Sequence, residues 1–330
     1  MSAIFPASYS TLSDMALAFM VSERYGLADV TCELLLRGVG DTYLLASAGE
    51  RYILRAYRSS HRSLLQIRAE VELLSALKRA GVPAAYPIAD LAGGEIQAVE
   101  AVEGTRYLVL FNYAPGQAVA ILSESQLRML GHQMARFHEV SSTITLSDKR
   151  WSFDFETTLR RPIEMLKHAF REDPEGYAWV KEAAGKAEQA LNELGVSGFP
   201  AGYCHFDFLP KNFHFDGDSL TFFDFDFLGY GWLVYDIMIF WEHLCLDVHF
   251  GRMKQGEADE AYAIFLKAYG EVRPLSAAEL KAVPWLSLCW WLFYMGFHTT
   301  HDQFYPFVQP AHLKLRLGLI RQLMERYWAS

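Results

Sequence analysis

Residues 204–227 read CHFDFLPKNFHFDGDSLTFFDFDF and set five aspartates among eight phenylalanines. Carboxylates are seldom buried without a partner. A stretch this aromatic must therefore give its aspartates particular jobs. Asp-Gly between two apolar runs is a strong hairpin signal, so "FHF" and "LTFFDF" read as two strands and Asp216 and Asp218 as turn residues. The hairpin would bring Asp224, at the end of the second strand, back beside Asn212, at the start of the first. A carboxylate next to an amide oxygen suits a hard divalent cation such as Mg2+, which completes its shell with water and phosphate oxygens. Asp207 lies one loop earlier, in the pattern H-x-D-x-x-x-x-N formed with His205 and Asn212. A carboxylate there can accept a hydroxyl proton and aim the oxygen at a phosphorus, the arrangement expected for phosphoryl transfer.

Outside this segment the chain changes character once. Residues 10–26 read as a helix with Ser13 or Asp14 as N-cap and Gly26 as its stop. Three runs rich in β-branched and aromatic residues follow, VTCELLLR (30–37), TYLLASA (42–48) and RYILRAYR (51–58), joined by hairpin signals. Apolar residues then recur at helical spacing from His61 to Ala80, until Gly81 and Pro83 break the pattern. GEIQAVEAV and RYLVLFNYA read as two more strands. After NYAPGQ (112–117) the chain is mostly helical, over 123–140, 154–170, 174–195, 231–249, 255–270, 275–300 and 308–328. The quoted segment is expected to be the single β interruption there. The resulting expectation is an α+β chain with a small antiparallel-sheet N-terminal lobe (1–112), a Pro-Gly connector (113–117) and a larger, mainly helical lobe (118–330).

Composition narrows the function. A chain of 330 residues exceeds what one core usually holds, in keeping with two lobes. The net charge of −9 disfavours a nucleic-acid partner. Cys32, Cys204, Cys245 and Cys289 form neither a C-x-x-C pair nor a ladder of short spacings, which fits a reducing cytosol. The N-terminus lacks the basic and apolar regions of a secretion signal. The longest charge-free apolar run, Ala282 to Phe297, falls short of the ~20 residues a membrane span needs. A cytoplasmic protein with no membrane partner is expected; its oligomeric state is not read from the sequence. No Walker A loop, dinucleotide fingerprint or G-x-S-x-G elbow occurs.

His205-Phe206-Asp207 through Asn212, the hairpin, and Asp224-Phe225-Asp226 together resemble the catalytic and metal-binding motifs of the aminoglycoside phosphotransferase superfamily. That group includes choline kinases and type II homoserine kinases. The rest agrees in order over about residues 30–245: RYILRAY resembles the nucleotide-clamping third strand, RAEVELLSALKRAGVPAAYP the helix after it, LVLFNYAPG the hinge, and GYGWLVYDI the stretch after the metal aspartate. The resemblance implies a bilobal protein-kinase-like fold binding ATP and Mg2+. It makes Asp207 the catalytic base, Asn212 and Asp224 the metal ligands, and Arg55 the phosphate clamp paired with Glu70. The hinge with Phe111 and Tyr113 would receive the adenine. Asp236 would brace the catalytic loop, and Asp226 would serve either the metal and substrate or the loop. The implied substrate is a hydroxyl-bearing small molecule, first an amino-alcohol or amino-acid alcohol. A protein Ser/Thr kinase of the bacterial stress-response type, an aminoglycoside resistance enzyme and a non-catalytic pseudokinase are the alternatives.

Three positions depart from the family pattern. Arg55 stands where lysine is usual, keeping the charge but not its shape. Phe206 replaces the usual glycine between His and Asp, and its ring is expected to narrow the substrate entrance. "RGVGD" (37–41) is a poor glycine-rich loop. LTFFDFDFLG also resembles the D-x-D strand that opens haloacid-dehalogenase-type phosphatases, but it lies too late in the chain for that fold. Elsewhere, His138 reads as a hydrogen-bonded core histidine, His205 as a support for its own loop, and "RSSHR" (58–62) as a solvated turn. Trp290, Trp291, Tyr294, His298 and Asp302 read as core packing or as one wall of an acceptor pocket.

Overall fold

A computed structural model of the protein describes residues 7–148 and 150–328; the ends of the two expected lobes lie outside them. The chain divides into two compact units. The first comprises Met1–Gln117, Thr145–Lys149 and the hairpin segment Phe213–Asp226, and the second Ala118–Ile144, Arg150–Asn212 and Phe227–Ser330.

Helix α1 (Asp14–Tyr25) starts where the Ser13 hydroxyl accepts the Ala16 N–H and stops at Gly26, whose φ of 69° closes the helix. It buries Leu17, Val21 and Tyr25, spaced four apart on one face. They meet Tyr43, Leu45, Leu54, Ala56, Leu108 and Leu110 in the core of the first unit. Those residues come from β2 (Gly40–Ser47), β3 (Glu50–Tyr57) and β5 (Gly104–Asn112), which with β1 (Thr31–Arg37) and β4 (Gln97–Ala101) form an antiparallel sheet ordered β1-β2-β3-β5-β4. Ala48 and Gly49 both take positive φ, as a two-residue turn between twisted strands requires. Helix α2 (Leu64–Arg79) opens with a capping box of Ser63 and Gln66.

The second unit is helical: α3 (Glu124–Ser141), α4 (Arg161–Leu166), α5 (Pro174–Glu193), α6 (Val234–His249), α7 (Gln255–Gly270), α8 (Ala277–His298) and α9 (Pro310–Tyr327). No helix among the described residues is long and apolar enough to cross a membrane. The expectation of a single β interruption fails. Besides the hairpin β8 (Phe213–Asp216) and β9 (Ser219–Phe222), there is a three-stranded sheet of β6 (Trp151–Phe153), β7 (Ala201–Cys204) and β10 (Gly229–Trp232), ordered β6-β10-β7. The "GYGW" of β10 carries a turn's composition, yet it pairs with both neighbours. Its glycines answer to packing: a Cβ on Gly229 would sit 2.5 Å from the Phe153 ring.

Candidate active site

In the second unit, the loop from His205 to Asn212 is hung from one carboxylate. Asp236, in the first turn of α6, is fully buried. Its Oδ2 accepts the His205 N–H at 2.9 Å and its Oδ1 the Phe206 N–H at 2.8 Å. His138 Nε2 lies 3.0 Å from the same carboxylate, and His138 Nδ1 is 2.7 Å from the Tyr269 hydroxyl. Burial holds the His138 pKa below its ordinary value despite Asp236. The ring is then neutral at pH 7, with Nε2–H donating to Asp236 and Nδ1 accepting from Tyr269. Asp236 thus braces the loop in the way the sequence leads one to expect, and His138 is the buried, hydrogen-bonded histidine.

The backbone at Phe206 is left-handed, φ 63°, which explains why glycine suits this position. The phenyl ring does not line an entrance. It is fully buried, stacked on Phe153 at 3.5 Å between centroids and set edge-on to Tyr235 and Phe293 at 5.1 Å each. The Phe206 carbonyl accepts the Trp290 indole N–H at 3.4 Å and the Tyr294 hydroxyl at 3.3 Å. Two of the α8 aromatics therefore act on the loop backbone, while Trp291 donates to buried Glu242 at 2.8 Å. His298 lies beside Arg316 and Phe307.

Asp207 is 4% exposed. Its Oδ2 accepts Asn212 Nδ2 at 2.7 Å, and the same amide nitrogen reaches the Asp207 carbonyl at 2.8 Å. Asn212 thus closes the loop on Asp207 and keeps its Oδ1 as the atom suited to a cation. Lys211 Nζ is 3.0 Å from Asp207 Oδ2, a neighbour that sequence reasoning missed. The only local signal for it is a cation inside the H-x-D-x-x-x-x-N spacing. The Asp207 N–H points to His205 Nδ1 at 3.3 Å, so His205 supports its own loop.

In the first unit, β9 ends and the chain turns through Asp224, also at φ 63°. Arg55 on β3 sends one guanidinium nitrogen to Asp224 Oδ1 at 2.7 Å and the other to Asp226 Oδ2. Burial alone would lower the Arg55 pKa, but Asp226 and then Asp224 hold it well above its ordinary value. The pairing expected with Glu70 is not the one found. Glu70 accepts the Tyr57 hydroxyl at 3.1 Å and reaches Arg55 only as a more distant charge.

"RSSHR" is not a solvated turn either. Arg58 and His61 are each 8% exposed and Arg62 2%. Arg62 donates to the Asp226 carbonyl at 2.6 Å and to the His61 carbonyl at 2.8 Å. His61 Nδ1 contacts the Val39 carbonyl. Arg58 and Arg106 both face buried Asp41, at 3.5 and 3.2 Å, and Tyr9 donates to it at 2.5 Å. The loop between β1 and β2 is therefore held at Val39 from the approach to α2, and the start of β2 at Asp41 from β5.

The connector is held within the same unit. Phe111 pairs with Ile53, and Arg51 lies 3.9 Å over the Tyr113 ring. Gln117 and Phe215 exchange backbone hydrogen bonds at 3.1 and 3.0 Å. Gly116, at φ 77°, lies against the Phe215 carbonyl where a Cβ could not fit.

Arg55 and Asp224 of the first unit have the chemistry to meet a phosphate oxygen and a hard divalent ion. Arg55 Nε–H is buried with no partner among the described residues, a donor that a phosphate oxygen would satisfy. The Asp224 side chain is 33% exposed, open to an incoming cation. Among the described residues no group of three or more His, Cys, Asp or Glu could hold a metal. A single carboxylate at Asp224 would leave an ion dependent on water and phosphate oxygens, as Mg2+ often is.

The antiparallel sheet, the helical unit and the loop hung from Asp236 define a kinase-like fold with a phosphotransferase loop. The model of the "phosphotransferase enzyme family" matches residues 31–276. The chain belongs to that family and is a kinase with a hydroxyl acceptor. An amicoumacin kinase of Bacillus subtilis is 29% identical over 84% of this chain and 83% of its own length. Among solved structures, a microcompartment-associated aminopropanol kinase superposes with a TM-score of 0.74 at 21% identity, covering 96% of this chain and 98% of that one. An amicoumacin kinase in complex with AMP-PNP, Ca2+ and Ami superposes with a TM-score of 0.71 at 21% identity, covering 93% of each chain.

Proposed function

We propose that this kinase transfers the γ-phosphate of ATP to the hydroxyl of a small amine-bearing alcohol by direct in-line displacement. The observation that carries the reading is the buried Asp207 carboxylate, fixed by Asn212 and Lys211 on a loop whose backbone N–H groups are held by Asp236. A carboxylate so positioned orients the acceptor hydroxyl and takes its proton as the O–P bond forms. Arg55 grips the phosphates with the donor it has to spare, and the connector with Phe111 and Tyr113 receives the adenine. Asp224 is the proposed Mg2+ ligand, with Asn212 Oδ1 as the second expected one, and the ion would supply neutralisation of phosphate charge.

The amine on the acceptor is supported by the kinds of kinase this chain is similar to, an aminopropanol kinase and an amicoumacin kinase. The test is ADP release with Mg2+-ATP against a panel of amino-alcohols, hydroxy-amino acids, aminoglycosides and Ser/Thr proteins. Turnover on an amine-bearing small alcohol supports the proposal. Turnover on protein hydroxyls alone replaces it with the stress-response-kinase reading.

A further inference from the structure

We infer that Asp226 is the fixed counter-ion of Arg55, in the place expected of Glu70, and that Asp224 is the exchangeable one. The inference rests on the kinase reading above. Three observations separate the two aspartates. The Asp226 side chain is 6% exposed and the Asp224 side chain 33%, so only Asp224 is open to a soluble cation. Asp226 is also held from a second side: Arg62, itself 2% exposed, donates to the Asp226 carbonyl at 2.6 Å, with its Nε 3.9 Å from Asp226 Oδ1. The carboxylate expected in this place, Glu70, accepts the Tyr57 hydroxyl and acts on Arg55 only as a more distant charge.

The chemistry follows from the shape of arginine. A guanidinium fork can engage two carboxylates at once, where an ammonium is a point charge. When Asp224 turns to a metal ion, Arg55 gives up one of its two partners. Asp226, anchored by Arg62, keeps the other arm in place, so the guanidinium stays aimed while its remaining N–H groups turn to phosphate. Asp226 is thus a positioning residue, and the exchange of lysine for Arg55 and the "DFD" spacing become parts of one device.

The test is a pair of double-mutant cycles read by calorimetric nucleotide binding, with and without Mg2+. One cycle pairs Arg55→Lys with Asp226→Asn, the other Arg55→Lys with Glu70→Gln. Asp226→Asn should weaken Mg2+-ATP binding at least tenfold, with the Arg55→Lys double variant little worse than the weaker single. Glu70→Gln should change affinity less than threefold and add independently to Arg55→Lys. In turnover, Asp226→Asn should raise KM for ATP and leave KM for the acceptor alone, a split that general loosening would not produce. Equal coupling of Arg55 to Glu70, or additive behaviour with Asp226, overturns the inference. If Asp226→Asn does not fold, the Glu70→Gln arm decides: near-normal affinity supports the inference and a tenfold loss overturns it. A wild-type protein that binds no nucleotide defeats the kinase reading and this inference with it, whereas normal binding by Asp226→Asn defeats the inference alone.

Discussion

Replacing Phe206 by glycine and by alanine separates two opposing effects at one residue. The backbone there is left-handed, which costs a non-glycine residue about 1–2 kcal/mol. The ring is fully buried and stacked on Phe153, and deleting a buried phenyl group costs about 3–5 kcal/mol. Phe206→Ala loses the ring and keeps the strain, so the full ~3–5 kcal/mol should appear. Phe206→Gly loses the ring and relieves the strain, leaving a net loss of ~1–4 kcal/mol. Urea denaturation followed by tryptophan fluorescence reads both, and the glycine variant should unfold at the higher urea concentration of the two. An alanine variant as stable as the glycine variant refutes the backbone half of the argument. A glycine variant as stable as the wild type refutes the aromatic half.

Asp207→Asn should lower kcat by ~10²–10⁴-fold, the usual range for general acid–base catalysis, with ATP affinity by calorimetry within threefold of wild type. Asp224→Ala should shrink the ratio of ATP affinities measured with and without Mg2+; an unchanged ratio removes Asp224 from the metal site. Stability should fall as the pH drops below about 6.5, because burial lowers the His298 pKa from 6.5 to about 3 and lowers that of His138 as well. A group depressed in the folded state binds protons mainly when unfolded across that window, so stability rises with pH there. His298→Asn should flatten the slope of melting temperature between pH 4 and about 6.5, and a slope as steep as the wild type's would remove His298 from this account.

Much of this was written locally. The helices and the five-stranded sheet follow from apolar spacing, and the Asp216-Gly217-Asp218 turn from its composition, because each depends on neighbours within one window of sequence. The failures share a cause at longer range. "RSSHR" looks solvated because two arginines in five residues have no local carboxylate. Partners of Arg58 and Arg62 include Asp41 and the Asp226 backbone, the latter 164 positions beyond Arg62. The partners of Arg55 were missed for the same reason. The β6-β10-β7 sheet was hidden by glycines at 229 and 231 that serve the Phe153 ring rather than a turn. The placement of Phe206 was legible only in part: its departure from glycine was visible, but not the burial of its ring.

The chain of contacts behind Asp236 means that a single hydroxyl on α7 reinforces the tautomer the carboxylate favours. With the Tyr269 O–H directed at His138 Nδ1, the proton of the neutral imidazole is confined to Nε2 and pointed at Asp236. Without that hydroxyl Asp236 would still favour the proton on Nε2, but Nδ1 would lose the donor it faces. The position of the loop bearing Asp207 is thereby decided by where one proton resides on a histidine two helices away in sequence order.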